Sequence, residues 1–261
     1  MSNLAGQGDP AVSMSLLWAP AGDRATATPG PKPGLSVDLI VEAGISVADT
    51  ASMAGLSMRA VAERLGRTSM ALYTYVPGKA ELLDLMYDRA HAELGGPRPP
   101  EDGWRPGVLS WVAELKEFYL RHPWVLQVSY ARAVLGPNEQ AVLETLLDVL
   151  FTTGLPADVL RGVVGSLFHY VRGFAQTIAE TALAAATQED WWRERSGMLD
   201  EVAPDFAERF PLSVRLGRET AAGGGGREWS WERQLDATFD AGLTVILDGV
   251  EAAVRAQGVR R

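Results

Sequence analysis

Apolar residues recur at three- and four-residue spacings from about residue 35 almost to the C-terminus, and no stretch alternates apolar and polar positions as a β-strand does. This pattern predicts an all-α fold. Ser36 is placed to cap the first helix. Further helices are expected at about 57–65, 68–75, 79–94, 104–121, 124–134, 137–153, 157–187 and 229–257.

Changes in composition divide the chain into segments. Residues 1–34 are rich in Gly, Ala, Pro, Ser and Thr and bury too little apolar surface to offset chain entropy, which predicts a disordered N-terminal arm. A Gly- and Pro-rich stretch after residue 94 predicts a boundary between a helical domain at 35–94 and a larger one at 101–257. Residues 211–228, with four consecutive glycines from Gly223 to Gly226, are expected to form a flexible loop.

The charge and composition of the 261-residue chain limit its function. It has no cysteine, which excludes disulfides, zinc ribbons and thiol nucleophiles. Its formal net charge of −9 argues against one broad basic face, so any contact with nucleic acid must be local. No apolar run reaches the roughly 18 residues of a membrane span. We therefore expect a soluble, cytoplasmic protein without membrane contacts.

Residues 55–76 have the layout of a helix-turn-helix motif. Ser57 is placed to cap the first helix. Ala62 is small enough for two helices to cross closely, and Gly66, four positions later, can take the left-handed conformation that ends the first helix. The alternative is an ordinary helical hairpin within a core.

The second helix of this motif carries the features that favour DNA. Thr68 or Ser69 is placed to cap it, and its first turn would meet base edges in the major groove. Residues 55–80 contain four basic side chains against one acidic, a local net charge of +3. The candidate reading residues are Thr68, Ser69, Met70, Thr74 and Tyr75.

These residues resemble the DNA-binding signature of the tetracycline-repressor (TetR/AcrR) family. The matching positions are Ser57, Arg59, Val61, Ala62, Leu65, Gly66, Ala71, Leu72, Tyr73, Val76 and Lys79. The resemblance implies an N-terminal three-helix DNA-binding domain and a C-terminal helical domain for ligand binding and dimerisation. It also implies phosphate contacts from Ser57, Arg59, Tyr73 and Lys79. A weaker similarity to the branch with a tetracycline-repressor-type C-terminal domain extends the match to about residues 35–255, and the arm before Leu35 is longer than the family needs.

The C-terminal domain is rich in aromatic residues that are candidates for the walls of an apolar ligand pocket. The candidate walls are Trp111, Phe118, Trp124, Tyr130, Phe151, Phe168, Tyr170 and Phe174. Polar anchors are expected from Arg132, His169 and Gln176. Each aromatic residue taken singly is also compatible with an ordinary core. The three histidines lack metal-ligand spacing, so we expect no metal site, and nothing indicates a cofactor.

Broad apolar stripes run along the helices expected at about 157–187 and 229–257. They predict a homodimer with a four-helix interface around a twofold axis, and the alternative is that both stripes form intramolecular core.

Together these features predict a transcriptional repressor that binds a palindromic operator and is released when a small apolar ligand moves the helix at 79–94. The resemblance alone favours a repressor over an activator. An enzyme is disfavoured because the chain lacks a Gly-x-Ser-x-Gly motif, a P-loop and a His-Glu-x-x-His motif. The alternative is a ligand-binding or protein-interaction module whose helix-turn-helix no longer binds DNA.

Overall fold

The computed structural model describes residues 3–4, 6–19, 34–94, 103–129, 132–223 and 231–258. Nearly all regular structure in these residues is helical, which confirms the all-α class. The helices are α1 (Pro10–Leu17), α2 (Val37–Gly55), α3 (Met58–Arg64), α4 (Ser69–Tyr73), α5 (Lys79–His91), α6 (Trp104–Arg121), α7 (Pro123–Leu126), α8 (Pro137–Phe151), α9 (Ala157–Val202), α10 (Phe206–Arg209), α11 (Pro211–Gly223) and α12 (Trp231–Gly258). A short parallel ladder pairs β1 (Asn3–Leu4) with β2 (Val128–Ser129). Of the helices described, none combines the length and the apolar character that crossing a membrane requires.

Helices α2, α3 and α4 form a small three-helix domain with its own core. The Ser36 side chain accepts a hydrogen bond from the Leu39 amide at 3.2 Å and caps α2 as predicted. The core of the domain is fully buried and includes Ile40, Val47, Val61 and Leu72. Such a core allows the domain to hold α3 and α4 at a fixed angle.

A break interrupts α2 near its end. Ser52 has φ +56° and ψ −177°, a backbone region that essentially only glycine occupies without strain. The Ser52 hydroxyl accepts a hydrogen bond from the Ala54 amide at 3.3 Å, which partly offsets this strain. The break turns the chain from α2 toward α3.

Helix α5 connects the three-helix domain to the helices that follow. It packs closely on α2, because a Cβ atom added at Gly44 would lie only 2.7 Å from the sulfur of Met86. Most of α5 is buried, including three acidic side chains on one face of the helix, Glu81, Asp84 and Asp88. Buried carboxylates require hydrogen-bond partners, and in α5 those partners lie outside the helix.

Asp88 joins α5 to α8. Its Oδ1 atom accepts hydrogen bonds from the amides of Asn138 and Glu139 at 2.9 Å, and its Oδ2 atom accepts one from the Asn138 side chain at 2.8 Å. Gly136 permits this approach, since a Cβ atom there would lie 2.2 Å from the carboxylate. Asp88 thus caps the N-terminus of α8 from another helix.

The sequence predicts α6 and α8 well but is wrong about the segment between them. Helix α6 has the expected bounds, whereas the helix expected at 124–134 ends at Leu126. Val128 and Ser129 instead form β2, because the N-terminal strand β1 offers them a hydrogen-bonding partner.

The prediction of a disordered N-terminal arm is wrong for residues 6–19. Asp9 accepts hydrogen bonds from the amides of Ala11 and Val12 and caps α1, and Leu17 is fully buried. The segment folds because it packs on α5 and does not need to bury its apolar surface within itself. We call residues 3–4 and 6–19 the N-terminal strap. Residues 20–33 of the predicted arm lie outside the described residues.

The chain divides into two compact units, Met1–Gln176 with Leu247–Arg261, and Thr177–Ile246. Within the second unit, α9 continues well beyond the predicted end near residue 187. The predicted loop at 211–228 is wrong for residues 211–223, which form α11. Pro211 suits a first helical turn, and Arg215 pairs with Glu219 one turn later at 2.7 Å.

Candidate DNA-binding and ligand-binding sites

Local hydrogen bonds hold α3 and α4 in the helix-turn-helix arrangement. The Ser57 hydroxyl accepts a hydrogen bond from the Ala60 amide at 3.1 Å and caps α3 as predicted. Gly66 has φ +64°, the predicted left-handed conformation, and ends the turn after α3. Thr68 occupies the N-cap position of α4 without a side-chain capping bond. Its exposed hydroxyl can therefore form a hydrogen bond with a bound partner.

The predicted reading residues lie together on α4 and its flanks. Met70 is 75% exposed and Tyr73 is 44% exposed, although both are large and partly apolar. Thr68 and Thr74 are also exposed, whereas Ser69 and Tyr75 are half-buried. A five-residue helix with such an outer face suits insertion into a groove. That Ser69, Tyr75 and the others contact bases stays a prediction.

The predicted phosphate-binding residues flank this face, and Arg59 and Lys79, like Ser57, have partners within the chain. The Arg59 guanidinium donates to Glu63 at 2.8 Å, and both side chains are largely exposed. An exposed pair of this kind is weak and can reopen for a phosphate. The Lys79 ammonium donates to the carbonyl of Leu56 at 2.7 Å and thereby links the start of α5 to the start of α3.

Some of the predicted ligand-binding aromatic residues come together between α6, α7 and α9. Trp111 and Phe168 form an edge-to-face pair with ring centroids 4.9 Å apart, and the Trp111 indole donates to the carbonyl of Val142 at 3.2 Å. Phe118, two turns along α6 from Trp111, and Trp124 are fully buried. The indole nitrogen of Trp124 is buried without a hydrogen-bond partner among the described residues.

Other predicted ligand-binding residues lie apart from this group. Phe151 is 60% exposed at the end of α8, so the structure does not make it a pocket wall within this chain. Tyr170 and Phe174 pair with each other at 4.9 Å. His169 is exposed and its Nδ1 atom lies 2.6 Å from the carbonyl of Gly165. The remaining candidates are the exposed Arg132 and Gln176, and Tyr130, which lies outside the described residues.

His122 connects the three-helix domain to the C-terminal helices. Its Nδ1 atom lies 2.8 Å from Asp49 on α2, and its Nε2 atom lies 3.1 Å from Glu93 just after α5. Glu93 also pairs with Arg121. These side chains border a polar cleft of about 520 Å³ between α2 and the end of α5. Its charged walls do not match the apolar ligand that the sequence predicts, and no group of three acidic or histidine side chains in the described part of the chain is arranged to bind a metal ion.

The protonation of this region follows from burial and charge. Burial lowers the pKa of His91 to about 4; a hydrogen bond to the Tyr87 carbonyl opposes this shift, and the charges of Arg172 and His122 add to it. His91 is therefore neutral at pH 7, and its ring contacts those of Tyr87 and Phe118 in tilted arrangements. Burial opposes the ionisation of Glu93, but hydrogen bonds and charges from His122 and Arg121 outweigh it and lower the pKa of Glu93.

Sequence reasoning missed three residues that join the helices around the candidate ligand-binding residues and the polar cleft. They are Asp88, His122 and Arg172. The Arg172 guanidinium on α9 donates to the carbonyls of Val125, Leu126 and Val128 at 3.2, 2.7 and 2.7 Å and so terminates α7. Each of the three residues joins segments that are far apart in sequence. The signal that points to them is a charged or ionisable residue inside an otherwise apolar helical face.

The three-helix domain, its exposed α4 and its local positive charge define the class of protein as a helix-turn-helix DNA-binding regulator. Comparison with known proteins makes this specific. Residues 96–254 match the family model of the tetracyclin repressor-like C-terminal domain. The chain is 37% identical over 254 residues to the HTH-type transcriptional repressor DrrR1 of Streptomyces coeruleorubidus, a match that covers 95% of this chain and 88% of that protein.

Further relatives agree with this assignment. An HTH-type transcriptional regulator of Saccharopolyspora erythraea is 28% identical over 224 residues, which is 85% of this chain and 86% of that protein. The crystal structure of apo ActR from Streptomyces coelicolor is 26% identical with a TM-score of 0.68, and the match covers 87% of this chain and 100% of that one. The protein belongs to the tetracycline-repressor family of DNA-binding transcriptional regulators, which confirms the resemblance seen in its sequence.

Proposed function

We propose that this protein is a repressor that binds a palindromic operator through α3 and α4. The observation that carries this proposal is the exposed outer face of α4, with Met70 and Tyr73 presented to solvent beside the basic residues of the motif. Large side chains that are exposed together beside basic residues suit a surface that meets a partner. The name of the relative DrrR1, a transcriptional repressor, supports repression over activation.

In this proposal Arg59, Ser57, Tyr73 and Lys79 bind phosphates and position the domain on the duplex. Thr68, Ser69, Met70, Thr74 and Tyr75 then contact base edges or the groove. Arg59 exchanges its ion pair with Glu63 for a phosphate, at little cost because both groups are exposed.

The effector in this proposal is a small, largely apolar molecule bound among α6, α7 and α9. Trp111, Phe118, Trp124 and Phe168 supply apolar surface there, and the buried Trp124 indole nitrogen offers a hydrogen bond. A structure of ActR in complex with actinorhodin supports ligand binding in this fold; ActR in that complex is 25% identical to this chain, with a TM-score of 0.68. Bound ligand would move α5 and change the spacing of the two DNA-binding domains.

The operator-binding species in this proposal is a homodimer formed by α9 and α12. Gly162, Gly165 and Gly173 on α9 and Gly249 on α12 have open space where a Cβ atom would lie, as far as the described residues extend. Small residues on the face of a helix suit close packing against a second copy.

The test is a fluorescence anisotropy titration on an operator that the wild-type protein selects from random-sequence duplex DNA. Arg59→Ala and Tyr73→Ala should weaken binding, and Arg59→Ala should reduce the slope of log K against log salt concentration by about 1. Arg215→Ala is the matched control, because Arg215 forms the same kind of exposed pair with Glu219 at 2.7 Å. Selection of no DNA by the wild-type protein would favour the alternative, a ligand-binding or protein-interaction module.

Actinorhodin is the first effector to test, by titrating it into the protein–operator complex and measuring the fraction of operator that is released. Because binding free energies are reciprocal, operator DNA must weaken actinorhodin binding by the same factor. Binding of actinorhodin that leaves operator affinity unchanged would refute release by this compound.

A further inference from the structure

The N-terminal strap is bonded to two separate parts of the molecule. On one side it contacts α5, and on the other it contacts the segment between α7 and α8. Neither contact is expected from a disordered arm. The composition of the strap gives no reason for it to fold alone, so its order comes from these contacts.

On the α5 side, the strap supplies hydrogen bonds to two buried carboxylates. The Gly6 amide donates to Asp84 Oδ1 at 2.8 Å, and the buried Ser13 hydroxyl donates to Asp84 Oδ2 at 3.0 Å. The Asp9 amide donates to Glu81 Oε1 at 3.0 Å. Burial raises the pKa of Asp84, and the hydrogen bonds from Gly6 and Ser13 oppose that shift. Without the strap these two carboxylates would lose those donors, which is costly for buried polar groups.

On the other side, the strap contacts residues between α7 and α8. Strand β1 pairs with Val128 and Ser129. A Cβ atom added at Gly6 would lie 3.7 Å from the Cβ atom of Arg132, one of the candidate ligand-binding residues. The Trp18 indole donates to the carbonyl of Leu135 at 3.0 Å. The strap therefore spans from α5 to the segment between α7 and α8, which carries the candidate ligand-binding residue Arg132.

We propose that the N-terminal strap positions α5 for operator binding by fastening it to residues 128–129 and 132–135. This inference rests on the proposed function. Binding of two half-sites requires that the two DNA-binding domains keep a fixed spacing, and α5 sets that spacing within each chain. A loosened α5 distributes the protein over several spacings, of which only one fits the operator, so the apparent affinity falls.

The chain offers two substitutions in the strap, each with a matched control. Gly8→Ala places a Cβ atom 2.6 Å from Glu81 Oε1 and 2.9 Å from the Ser13 hydroxyl, so the carboxylate or the strap must move. Gly34→Ala is its control, because a Cβ atom there meets no described residue within 4 Å. Ser13→Ala removes the bond to Asp84, and Ser15→Ala is its control, since the exposed Ser15 hydroxyl donates locally to the Val12 carbonyl.

The experiment measures two quantities on the full-length protein and its variants. The first is the hydrogen-exchange rate of the α5 peptide at 79–91, followed by mass spectrometry. The second is the affinity for the operator selected by the wild-type protein. We expect the double variant Gly8→Ala/Ser13→Ala to exchange at least about tenfold faster in α5 and to bind the operator at least about fivefold more weakly. The double control Gly34→Ala/Ser15→Ala should match the wild type in both.

The outcomes distinguish failure of the proposed role of the strap from failure of the proposed function on which that role depends. Faster exchange in α5 with operator affinity equal to the control refutes the proposal, because the strap would then stabilise α5 without positioning it. Unchanged exchange in a folded double variant refutes it as well. If the double variant does not fold, Ser13→Ala alone against Ser15→Ala decides by the same two measurements. If the wild-type protein selects no DNA, the proposed function fails and the positioning role fails with it.

Discussion

The buried His91 makes stability depend on pH in a way that one substitution should remove. His91 is neutral in the folded protein because burial lowers its pKa to about 4. In the unfolded chain a histidine titrates near 6.5. As the pH falls below about 6.5, the unfolded chain takes up a proton that the folded protein does not. The contribution of neutral His91 to the free energy of unfolding is therefore complete above about pH 6.5 and is lost progressively down to about pH 4.

The magnitude follows from these two pKa values. Each unit of difference corresponds to about 1.4 kcal/mol, and integration from about pH 7.5 to about pH 5.0 gives a loss of about 2 kcal/mol from His91 alone. His91→Phe keeps an aromatic ring between Tyr87 and Phe118 but cannot take up a proton. The variant should therefore lose about 2 kcal/mol less than the wild type over this range.

The assay is urea unfolding at constant protein concentration, at several pH values between about 7.5 and 5.0. The carboxylates contribute equally to the pH dependence of both proteins. Their contribution therefore cancels when the free energies of unfolding of wild type and His91→Phe are subtracted. His169→Phe, at an exposed site on α9, is the matched substitution of a histidine and should follow the wild type. Parallel pH profiles for wild type and His91→Phe would refute the reasoning.

Three further substitutions test single contacts by the same unfolding assay. Asp88→Ala removes the cap of α8 and should cost about 3 kcal/mol, whereas Asp148→Ala on the exposed side of α8 should change stability by less than about 0.5 kcal/mol; equal effects would contradict the capping role. Ser52→Gly relieves the strained backbone and should stabilise by about 1 kcal/mol, and a loss of stability would show that the strain is compensated locally. Arg172→Met leaves the terminal carbonyls of α7 without their donor and should cost about 3 kcal/mol; a neutral result would mean that another group replaces the guanidinium.

Local sequence signals predict the DNA-binding part of the molecule well. The cap at Ser57 and the left-handed Gly66 act over a few residues, so the pattern of residue types determines the geometry directly. The same holds for α6, which begins after Gly103 and ends before His122 as expected. The candidate DNA contacts could therefore be chosen from the sequence.

Long-range contacts explain what the sequence could not predict. The strap folds because of partners that lie 71 to 125 residues away in the chain, such as Asp84 and Val128, and no local pattern reveals them. The environment of each ligand-binding candidate also depends on long-range contacts. Aromatic residues at helical spacing show that a helix has an apolar face, but only tertiary packing decides that Phe118 is buried and Phe151 is not.

The N-terminal strap also has a consequence for the order in which the protein folds during synthesis. Strand β1 leaves the ribosome before its partner strand β2, which follows more than a hundred residues later. At about 5–20 residues per second, the strap waits on the order of 10 s for its binding surface. The strap is therefore made well before the segments that it binds, and it reaches its native position only after they have been synthesised.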